Sequence, residues 1–292
     1  MGRGFVIIRL GGGLGNQMFQ YAAALAVAMR TEQPLYFDLE PGTEENLLDV
    51  FQTRLEGPIT PWLALRAGLS PLPGRTGTRF FSPLQRAVGV SLVKPRTFGQ
   101  FDPEVLRIDG PVVLHGHWQS ERYFADVAPV VRSHLSFETG VANDVREFAE
   151  RLHFAPSVGM HIRRGDYLSM MPQDDLPTEY YYRAAYERVR EVTRSTPTVY
   201  GFSDDPFFLH GVFRGWFPHA VPVSGSVTRD RYEEMALLSA CQHQIIAPSS
   251  YSWWAAWLNP NPDKVVVAPS RWVYDWAAPD VVPTSWLRLP SR

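Results

Sequence analysis

The sequence has little cysteine and no long uninterrupted apolar run. Its 292 residues include one cysteine, Cys241, which excludes an intramolecular disulfide and fits a reducing compartment. No segment approaches the roughly 20 consecutive apolar residues that a membrane-spanning helix needs. Gly11 to Gly15 interrupt the apolar N-terminus, which therefore does not match a secretory signal peptide. We expect a cytoplasmic protein with at most peripheral attachment to the inner face of the membrane.

An excess of charge of either sign is also missing. The formal net charge is −2, from 28 basic and 30 acidic residues, which gives no support for nucleic acid or an anionic membrane surface as partner. Only Lys94 and Lys264 of the basic residues are lysine, and we read no function from this bias. The hydrophobic fraction of 45% is typical of a soluble enzyme, and the length suits two compact domains or one large α/β unit.

Strands alternate with helices in the first half of the chain. The pattern predicts a strand over Phe5–Leu10, a glycine loop, a helix from about Gln17 to Arg30, and a strand over Leu35–Leu39. Residues 42–101 are rich in Pro, Gly and Arg, and we predict only short helices and loops there. A strand is predicted over residues 111–118, followed by a helix after residue 120.

The second half of the chain shows the same alternation more clearly. Its predicted strands and helices are, in order, a strand over Val158–Ile162, a helix from Thr178 to Arg194, a strand over Thr198–Ser203, a helix starting at Asp205-Pro206, a helix over Arg231–Cys241, a strand over Gln244–Ala247, a helix over Ser250–Leu258 and a strand over Lys264–Ala268. We therefore predict an α/β fold with two facing Rossmann-like domains, residues 1–152 and 153–292, each with a parallel sheet. Ligands of such sheets bind beyond the carboxyl ends of the strands.

The glycine loop joins the first strand to the first helix. Gly11, Gly13 and Gly15 let the backbone approach a ligand closely, and the helix N-terminus offers free N–H groups. A dinucleotide site is one alternative, since Asp38 ends the second strand, but Asn16 stands where the third glycine belongs. A phosphate loop fails because no Lys-Ser or Lys-Thr follows. The remaining alternative is a tight turn in which Asn16 merely caps the helix.

The segment HIRRGDY follows a buried strand. His161, Arg163 and Arg164 are three potential cations within four positions, in a protein without a basic excess. An arginine in a loop over a sheet end can bind phosphate oxygens in bidentate fashion, and Asp166 can hold a guanidinium in place. A structural Arg–Asp ion-pair network is the alternative, and we favour an anion site.

Two more polar segments follow predicted strands. Asp204 and Asp205 could cap a helix, bind a metal, or accept hydrogen bonds from the two N–H donors of a guanine; no further ligand is spaced for the metal. Ser249 and Ser250 start a helix, where hydroxyl and backbone N–H groups form an anion site. The neighbouring tryptophans are expected in the core. Three histidines lack metal-ligand spacing, namely His115, His117 and His243.

Five segments together resemble a known family. GGGLGNQMFQYA, HWQSERYF, HIRRGDY, GFSDDP and EMALLSACQHQIIAPSSYSWWAAWL occur in the order seen in bacterial α-1,2-fucosyltransferases of glycosyltransferase family eleven. The resemblance covers about residues 6 to 258. It implies a GT-B fold, GDP-fucose as donor, inversion at the anomeric carbon, no cofactor and no catalytic metal. The implied partners are a GDP-sugar and an oligosaccharide or glycolipid acceptor.

The resemblance also implies roles for individual residues. Arg163 resembles the arginine that binds the β-phosphate and stabilises the leaving GDP, with His161 and Arg164 as its helpers. Asn16 and the surrounding glycines resemble the loop that faces the donor. Further residues that match family positions are Asp204 or Asp205 as guanine reader, Ser249 and Ser250 as phosphate contacts, and Gln119 without a defined role.

One position departs from the family pattern. Pro248 stands where members usually have asparagine, which removes an amide and a backbone N–H beside the expected phosphate site. Two rival functions remain from the sequence. One is a transferase of the same fold that uses another GDP-sugar, and the other is a non-catalytic glycan- or nucleotide-binding protein. The general base and the acceptor stay unassigned, although the first domain is expected to bind the acceptor and the second the donor.

Overall fold

The structure is a computed structural model that describes residues 4–40, 42–43, 48–71, 78–80, 89–137, 141–170, 176–272 and 278–291. The chain divides into two compact units. Unit 1 comprises residues Met1–Ser136 and Pro279–Val281, and unit 2 comprises Phe137–Ala278 and Val282–Arg292. Each unit has its own parallel sheet. Parts of the predicted loop region 42–101 lie outside the described residues.

Unit 1 holds a four-stranded parallel sheet in the order β2-β1-β6-β5 and a separate antiparallel pair β3-β4. Its strands and α-helices are, in chain order, β1 (Val6–Leu10), α1 (Leu14–Thr31), β2 (Leu35–Leu39), α2 (Pro61–Arg66), β3 (Leu69–Pro71), β4 (Thr78–Phe80), β5 (Ser91–Val93), β6 (Val112–Leu114) and α3 (Ala128–His134). Short 3₁₀ turns cover Pro103–Arg107, Glu121–Tyr123 and Ala125–Val127.

The glycine loop and the core of unit 1 explain why α1 lies where it does. β1 is buried along its whole length, and Ile7 and Val113 of the sheet pack with Leu63 of α2. α1 carries buried alanines between Ala22 and Ala28, which favour helix and let it approach β1 closely. The helix starts at Leu14, three residues before the predicted start, because Gly13 already serves as its N-cap.

Unit 2 holds a six-stranded, entirely parallel sheet in the order β12-β11-β10-β7-β8-β9. Its strands and helices are, in chain order, α4 (Asn143–Phe154), β7 (Ser157–Ile162), α5 (Tyr167–Met170), α6 (Glu179–Thr193), β8 (Thr198–Ser203), α7 (Pro206–Phe208), a π-helical turn (Leu209–Phe213), α8 (Arg214–Trp216), β9 (Val221–Pro222), α9 (Arg231–Ala240), β10 (His243–Ile245), α10 (Ser250–Leu258), β11 (Val266–Pro269) and β12 (Leu287–Leu289). β7 and β10 are central, which buries both completely.

The core of unit 2 uses aromatic residues with satisfied polar ends. Tyr181 on α6 is fully buried and donates its hydroxyl to the carbonyls of Ile246 and Val267, at 2.8 and 3.2 Å. Trp253 and Trp254 on α10 are also fully buried, as expected from the apolar helix. This packing fixes α6 and α10 against the sheet and so fixes the loops that precede them.

The division between the units falls at 136/137, whereas the sequence predicted it at 152/153. The difference arises from α4, which the sequence pattern did not reveal and which packs against α9 of unit 2. Pro279–Val281 belongs to unit 1, where Asp280 accepts hydrogen bonds from the Phe101 N–H and from Arg122, each at 2.8 Å. None of the helices in the described part of the chain has the length and hydropathy to span a membrane.

Candidate active site

The guanidinium of Arg163 lies between two carboxylates at the carboxyl edge of the unit 2 sheet. β7 ends at Ile162, so Arg163 is the first residue beyond the strand. Its Nη2 donates to Asp166 Oδ1 at 2.6 Å, and its Nη1 contacts Asp204 Oδ2 at 2.7 Å. Asp204 follows β8, which pairs in parallel with β7. The two charged contacts fix the direction of the arginine fork.

Arg164 is held by a second set of contacts. Its Nε donates to Asp205 Oδ2 at 3.1 Å, and its guanidinium lies 4.0 Å from the ring centroid of Phe208. Its backbone N–H donates to Asp204 Oδ1 at 2.9 Å. Asp205 also accepts from the Phe208 N–H at 3.0 Å, which makes it the N-cap of α7. The capping role expected of one of the two aspartates therefore belongs to Asp205.

A glycine makes this close arrangement of charges possible. A Cβ at position 165 would collide with Oδ2 of Asp204, the oxygen that contacts Arg163. Any side chain at Gly165 would therefore displace the carboxylate from the arginine fork. The glycine of the HIRRGDY segment is required by this close approach.

His161 is not a cation, in contrast to the sequence expectation of three potential cations. Its side chain is 2% exposed at the end of β7. Burial, and in second place the charge of Arg163, lower the pKa of His161 to about 3. Its Nδ1 has no hydrogen-bond partner among the described residues, and its ring lies 5.6 Å from that of Tyr251. The imidazole is thus a neutral, buried group beside the arginines.

The loop before α10 carries Ser249 and Ser250, which the sequence predicts to form a second anion site. Ser249 is the N-cap of α10 and is buried, and Ser250 is the first residue of the helix. Backbone N–H groups in a first helical turn have no partner within the helix, so they are available to an anion. The carbonyl of Pro248 accepts a hydrogen bond from the Tyr167 hydroxyl at 3.1 Å. This contact ties the loop to the segment that carries Arg163.

Sequence reasoning missed one acidic residue in this unit, Glu234. Burial raises the pKa of its carboxyl to about 7, a hydrogen bond with Ser224 lowers it, and the charge of Asp204 raises it further. Ser224 also accepts a hydrogen bond from the backbone N–H of Ser203 at 2.9 Å. Glu234 is therefore a largely but not fully buried carboxyl whose pKa responds to the charge of Asp204 in the Arg–Asp cluster. Its place in the family segment EMALLSACQ was the one signal that could have pointed to it.

In unit 1, the glycine loop has a defined backbone shape. Gly12 has φ +71°, a conformation that favours glycine, and a Cβ there would also lie 2.7 Å from the side-chain nitrogen of Asn16. Gly13 is exposed and caps α1, while Gly15 is buried in the first turn. Gly13 rather than Asn16 is therefore the helix cap, and the interpretation that Asn16 merely caps the helix is wrong.

The amide of Asn16 is held by Gln119. The side-chain nitrogen of Gln119 donates to Asn16 Oδ1 at 2.9 Å. Gln119, whose role was undefined, thereby fixes which way the Asn16 amide points. Asp38, at the end of the neighbouring strand, forms a buried ion pair with Arg9 at 2.6 Å. This ion pair engages the Asp38 carboxylate, which disfavours its alternative role as a ribose-binding acid.

His243 and a cavity of unit 1 lie apart from these contacts. His243 accepts a hydrogen bond from the Val265 N–H through Nδ1 at 3.1 Å, a structural role. Across the described residues, no group of three or more His, Cys, Asp or Glu side chains could hold a metal ion. A cavity of about 890 Å³ in unit 1 is lined by Leu35 and Arg54, at the amino end of β2. It is remote from the carboxyl edge of that sheet.

The comparisons with known proteins point to one family. The profile described as glycosyl transferase family 11 matches residues 106–279. Alpha-1,2-colitosyltransferase from Escherichia coli is 27% identical over 291 residues, with 97% of this chain and 98% of the relative covered. The O-antigen biosynthesis glycosyltransferase WbnK from Escherichia coli is 30% identical over 310 residues, with coverages of 96% and 99%. Galactoside 2-alpha-L-fucosyltransferase from Caenorhabditis elegans is 25% identical over 295 residues, with coverages of 95% and 77%.

A solved structure supports the fold. The crystal structure of POFUT1 in complex with GDP matches with a TM-score of 0.52 and 13% sequence identity, over 91% of this chain and 98% of that chain. The predicted α/β, GT-B-like class with two Rossmann-like units is thereby confirmed. The family profile and the relatives define a glycosyltransferase. The chain belongs to glycosyltransferase family 11, a family with fucosyltransferase members.

Proposed function

We propose that the chain transfers L-fucose from GDP-fucose to the 2-hydroxyl of a galactoside, with inversion at the anomeric carbon. The acceptor class is an oligosaccharide or a glycolipid. The observation that carries the proposal is the Arg163 fork, which Asp166 and Asp204 hold at the carboxyl end of β7. The same unit carries the N-terminus of α10 with Ser249 and Ser250. A guanidinium and a helix N-terminus are suitable groups for a diphosphate.

The leaving group explains why an oriented arginine matters. As the bond to the sugar breaks, negative charge grows on the β-phosphate of GDP while the sugar becomes oxocarbenium-like. A guanidinium has five N–H donors, and the contacts with Asp166 and Asp204 leave others for phosphate oxygens. The two carboxylates hold the fork in a fixed direction, so that little reorganisation is needed during the reaction. In this role Arg163 is the catalytic residue.

The other predicted residues support the donor in this proposal. The neutral imidazole of His161 and the Asp205-bound guanidinium of Arg164 flank Arg163. Ser249 and Ser250 contact phosphate. In unit 1, Gly13, Gly15 and Asn16 form the loop that faces the reacting sugar. These assignments are consistent with the contacts within each unit.

Guanine recognition has two sets of candidates. Asp204 and Asp205 each accept two hydrogen bonds from protein groups, which leaves them fewer lone pairs for a base. Glu234 is a largely buried carboxyl with a hydrogen bond to Ser224, and its pKa responds to the charge of Asp204. Asp204 or Asp205 remains the predicted guanine-binding residue, and Glu234 is a further candidate for this role. Variants of the three residues separate them, as described below.

A second donor is favoured by one comparison. The similarity to alpha-1,2-colitosyltransferase makes colitose, which is L-fucose without its 3-hydroxyl, the alternative sugar for this chain. A site that hydrogen-bonds a substrate hydroxyl rejects the analogue without it by about 10⁴-fold, whereas an apolar pocket discriminates only about 100-fold. The ratio of kcat/KM for the two donors therefore decides which sugar the site is built for.

The experiment that tests the proposal uses the purified protein with GDP-fucose, GDP-colitose and GDP-mannose. Each donor is paired with a panel of glycans that end in β-galactose, and the product linkage is determined. We expect GDP-fucose to be preferred and the new linkage to be α-1,2. Preference for GDP-colitose would contradict the donor assignment. GDP binding without transfer from any donor would support a non-catalytic binding protein instead.

A further inference from the structure

Glu40 and His115 form a pair at the carboxyl edge of the unit 1 sheet. β2, β1 and β6 are parallel neighbours, so the residues that follow them meet at one edge. Glu40 follows β2, the glycine loop follows β1, and His115 follows β6. Nε2 of His115 lies 2.9 Å from Oε1 of Glu40. The carboxylate–imidazole pair thus lies directly beside the loop that begins α1.

The backbone around the pair is fixed from three strands. The N–H of Glu40 donates to the Leu10 carbonyl at 2.8 Å, and the N–H of His115 donates to the Val93 carbonyl at 3.0 Å. The amide side chain of Gln20 bonds both the N–H and the carbonyl of Gly11, at 3.0 and 3.3 Å. A Cβ at Gly11 would collide with Oε2 of Glu40. Glycine at position 11 is therefore what lets the carboxylate lie against the loop.

The two members of the pair differ in exposure. The Glu40 side chain is 41% exposed and that of His115 is 22% exposed, so the carboxylate is the member that an external molecule can reach. The imidazole contacts the carboxylate through Nε2 and holds it in position. His117 also faces the pair; burial lowers its pKa, the charge of Glu40 raises it, and that of His115 lowers it. The chemistry available at the surface is that of a positioned carboxylate.

We propose that Glu40 is the general base of the transfer reaction and that His115 is its positioning residue. The inference rests on the proposed glycosyl transfer and supplies the base that it needs. The acceptor oxygen forms a bond to the anomeric carbon, and the bond from that carbon to the β-phosphate oxygen breaks with its electron pair leaving on GDP. The acceptor hydroxyl proton passes to the Glu40 carboxylate. Asp166 is a weaker candidate, because it is bonded to Arg163.

The test compares Glu40→Gln with Glu104→Gln, a matched change at an exposed carboxylate of unit 1 that is paired with Arg107. Removal of a general base lowers turnover by about 10²–10⁴-fold. We expect this loss with sugar acceptors, together with unchanged GDP affinity. Azide, an acceptor that has no proton to lose, is expected to be glycosylated by Glu40→Gln at the rate of the unmodified protein. The Glu104→Gln variant should retain full transfer.

His115→Gln provides an independent measurement. The hydrogen bond from Nε2 fixes the position of the Glu40 carboxylate, so its loss should lower turnover with sugar acceptors while the rate with azide and the affinity for GDP stay unchanged. Turnover of Glu40→Gln within threefold of the control, or equal losses with azide and sugar acceptors, would overturn the assignment. Unchanged turnover of His115→Gln with sugar acceptors, or an equal loss with azide, would overturn the positioning role. Absence of transfer by the unmodified protein would instead contradict the proposed function itself.

Discussion

The two units carry their functional residues at the same edge of a parallel sheet, but with different chemistry. In unit 2, the edge carries an arginine–aspartate cluster with Arg163 at its centre. In unit 1, the edge carries glycines and amides, with Asn16 held by Gln119 and one exposed carboxylate, Glu40. The same fold motif therefore carries an arginine–aspartate cluster in one unit and mainly glycines and amides in the other.

The difference shows that the strand-end position determines where a site forms, while the loop residues determine its chemistry. Fixed guanidinium groups suit the growing negative charge of a leaving phosphate. Amide groups and a positioned carboxylate suit a sugar hydroxyl that must be oriented and deprotonated. This difference in chemistry can be tested by substitutions at particular residues in each unit.

The largest effect among the unit 2 variants is expected from Arg163→Lys. Lysine keeps the charge but not the planar fork that Asp166 and Asp204 aim. If the fork supports charge that grows in the transition state, turnover should fall about a hundredfold or more while GDP affinity changes less. Steady-state kinetics and GDP titration measure the two quantities. A fall of this size would show that the unit 2 edge takes part in catalysis through Arg163.

The matched control is Arg188→Lys, at an exposed helical ion pair with Glu191. It should leave both quantities unchanged. Arg164→Lys should be milder than Arg163→Lys, because Arg164 stacks on Phe208 and pairs with Asp205. Near-normal turnover of a folded Arg163→Lys protein would show that the cluster is a structural ion-pair network and would remove Arg163 from its catalytic role.

The next largest effect concerns guanine recognition. We expect neutralisation of the guanine-binding carboxylate to weaken GDP binding several-fold to a hundredfold, while UDP binding hardly changes. The reason is that hydrogen bonds to charged groups contribute about 1.5–3 kcal/mol. The variants are Asp204→Asn, Asp205→Asn and Glu234→Gln, measured by calorimetric titration with both nucleotides. A selective loss of GDP binding in Glu234→Gln alone would show that Glu234, and neither of the two aspartates, binds the guanine. Equal weakening of both nucleotides in all three would exclude every candidate.

The pH dependence of stability should report the largely buried carboxyl of Glu234. Because its folded-state pKa is raised to about 7, the folded protein binds more protons than the unfolded chain between about pH 4.5 and 7. Stability from this group is therefore present at low pH and is lost as pH rises through 7. Glu234→Gln should remove this loss, so that its Tm exceeds that of the unmodified protein at pH 8 by a few degrees and less at pH 5. A constant Tm difference across this range would contradict the raised pKa.

The sequence predicted the elements that have strong periodicity or clear termini. α10 has the predicted bounds, and α9 ends one residue before the predicted end. β2 also has the predicted bounds, because its apolar run is followed by Glu40-Pro41-Gly42, a clear stop. In each case the local pattern and the packing favour the same structure, so no tertiary information was needed.

Other elements depend on tertiary contacts that no local pattern shows. The predicted strand at 111–118 is only Val112–Leu114, because the chain turns at Gly116, which has φ +138°. The expected helix after Ser120 begins as 3₁₀ turns and becomes α-helical at Ala128. The three-residue strand β5 was not predicted, because it is too short for periodicity and exists through pairing with β6.

The candidate site was predicted in its positions more than in its contacts. Arg163, Asp204 and Asp205 follow strands as expected, yet their pairing depends on the β7–β8 register and on Gly165. The neutral state of His161 could not be predicted, since it follows from burial rather than from residue type. Glu234 was missed for the same reason, because an acidic residue in a helix is usually exposed.

The smallest effect is expected from removal of metal ions, and it tests whether the arginine cluster replaces a divalent cation. The carboxylates of Asp204 and Asp205 are engaged by Arg163 and Arg164, and a metal ion would have to displace these contacts. We therefore expect dialysis against EDTA to leave transfer within a few-fold of its initial rate. The control is the same treatment with EDTA already saturated with magnesium, which separates chelation from an effect of the chelator itself. Loss of activity with EDTA alone, restored by manganese, would assign Asp204 and Asp205 to a metal site. The unit 2 edge would then differ from the unit 1 edge by a bound metal ion rather than by its arginine side chains.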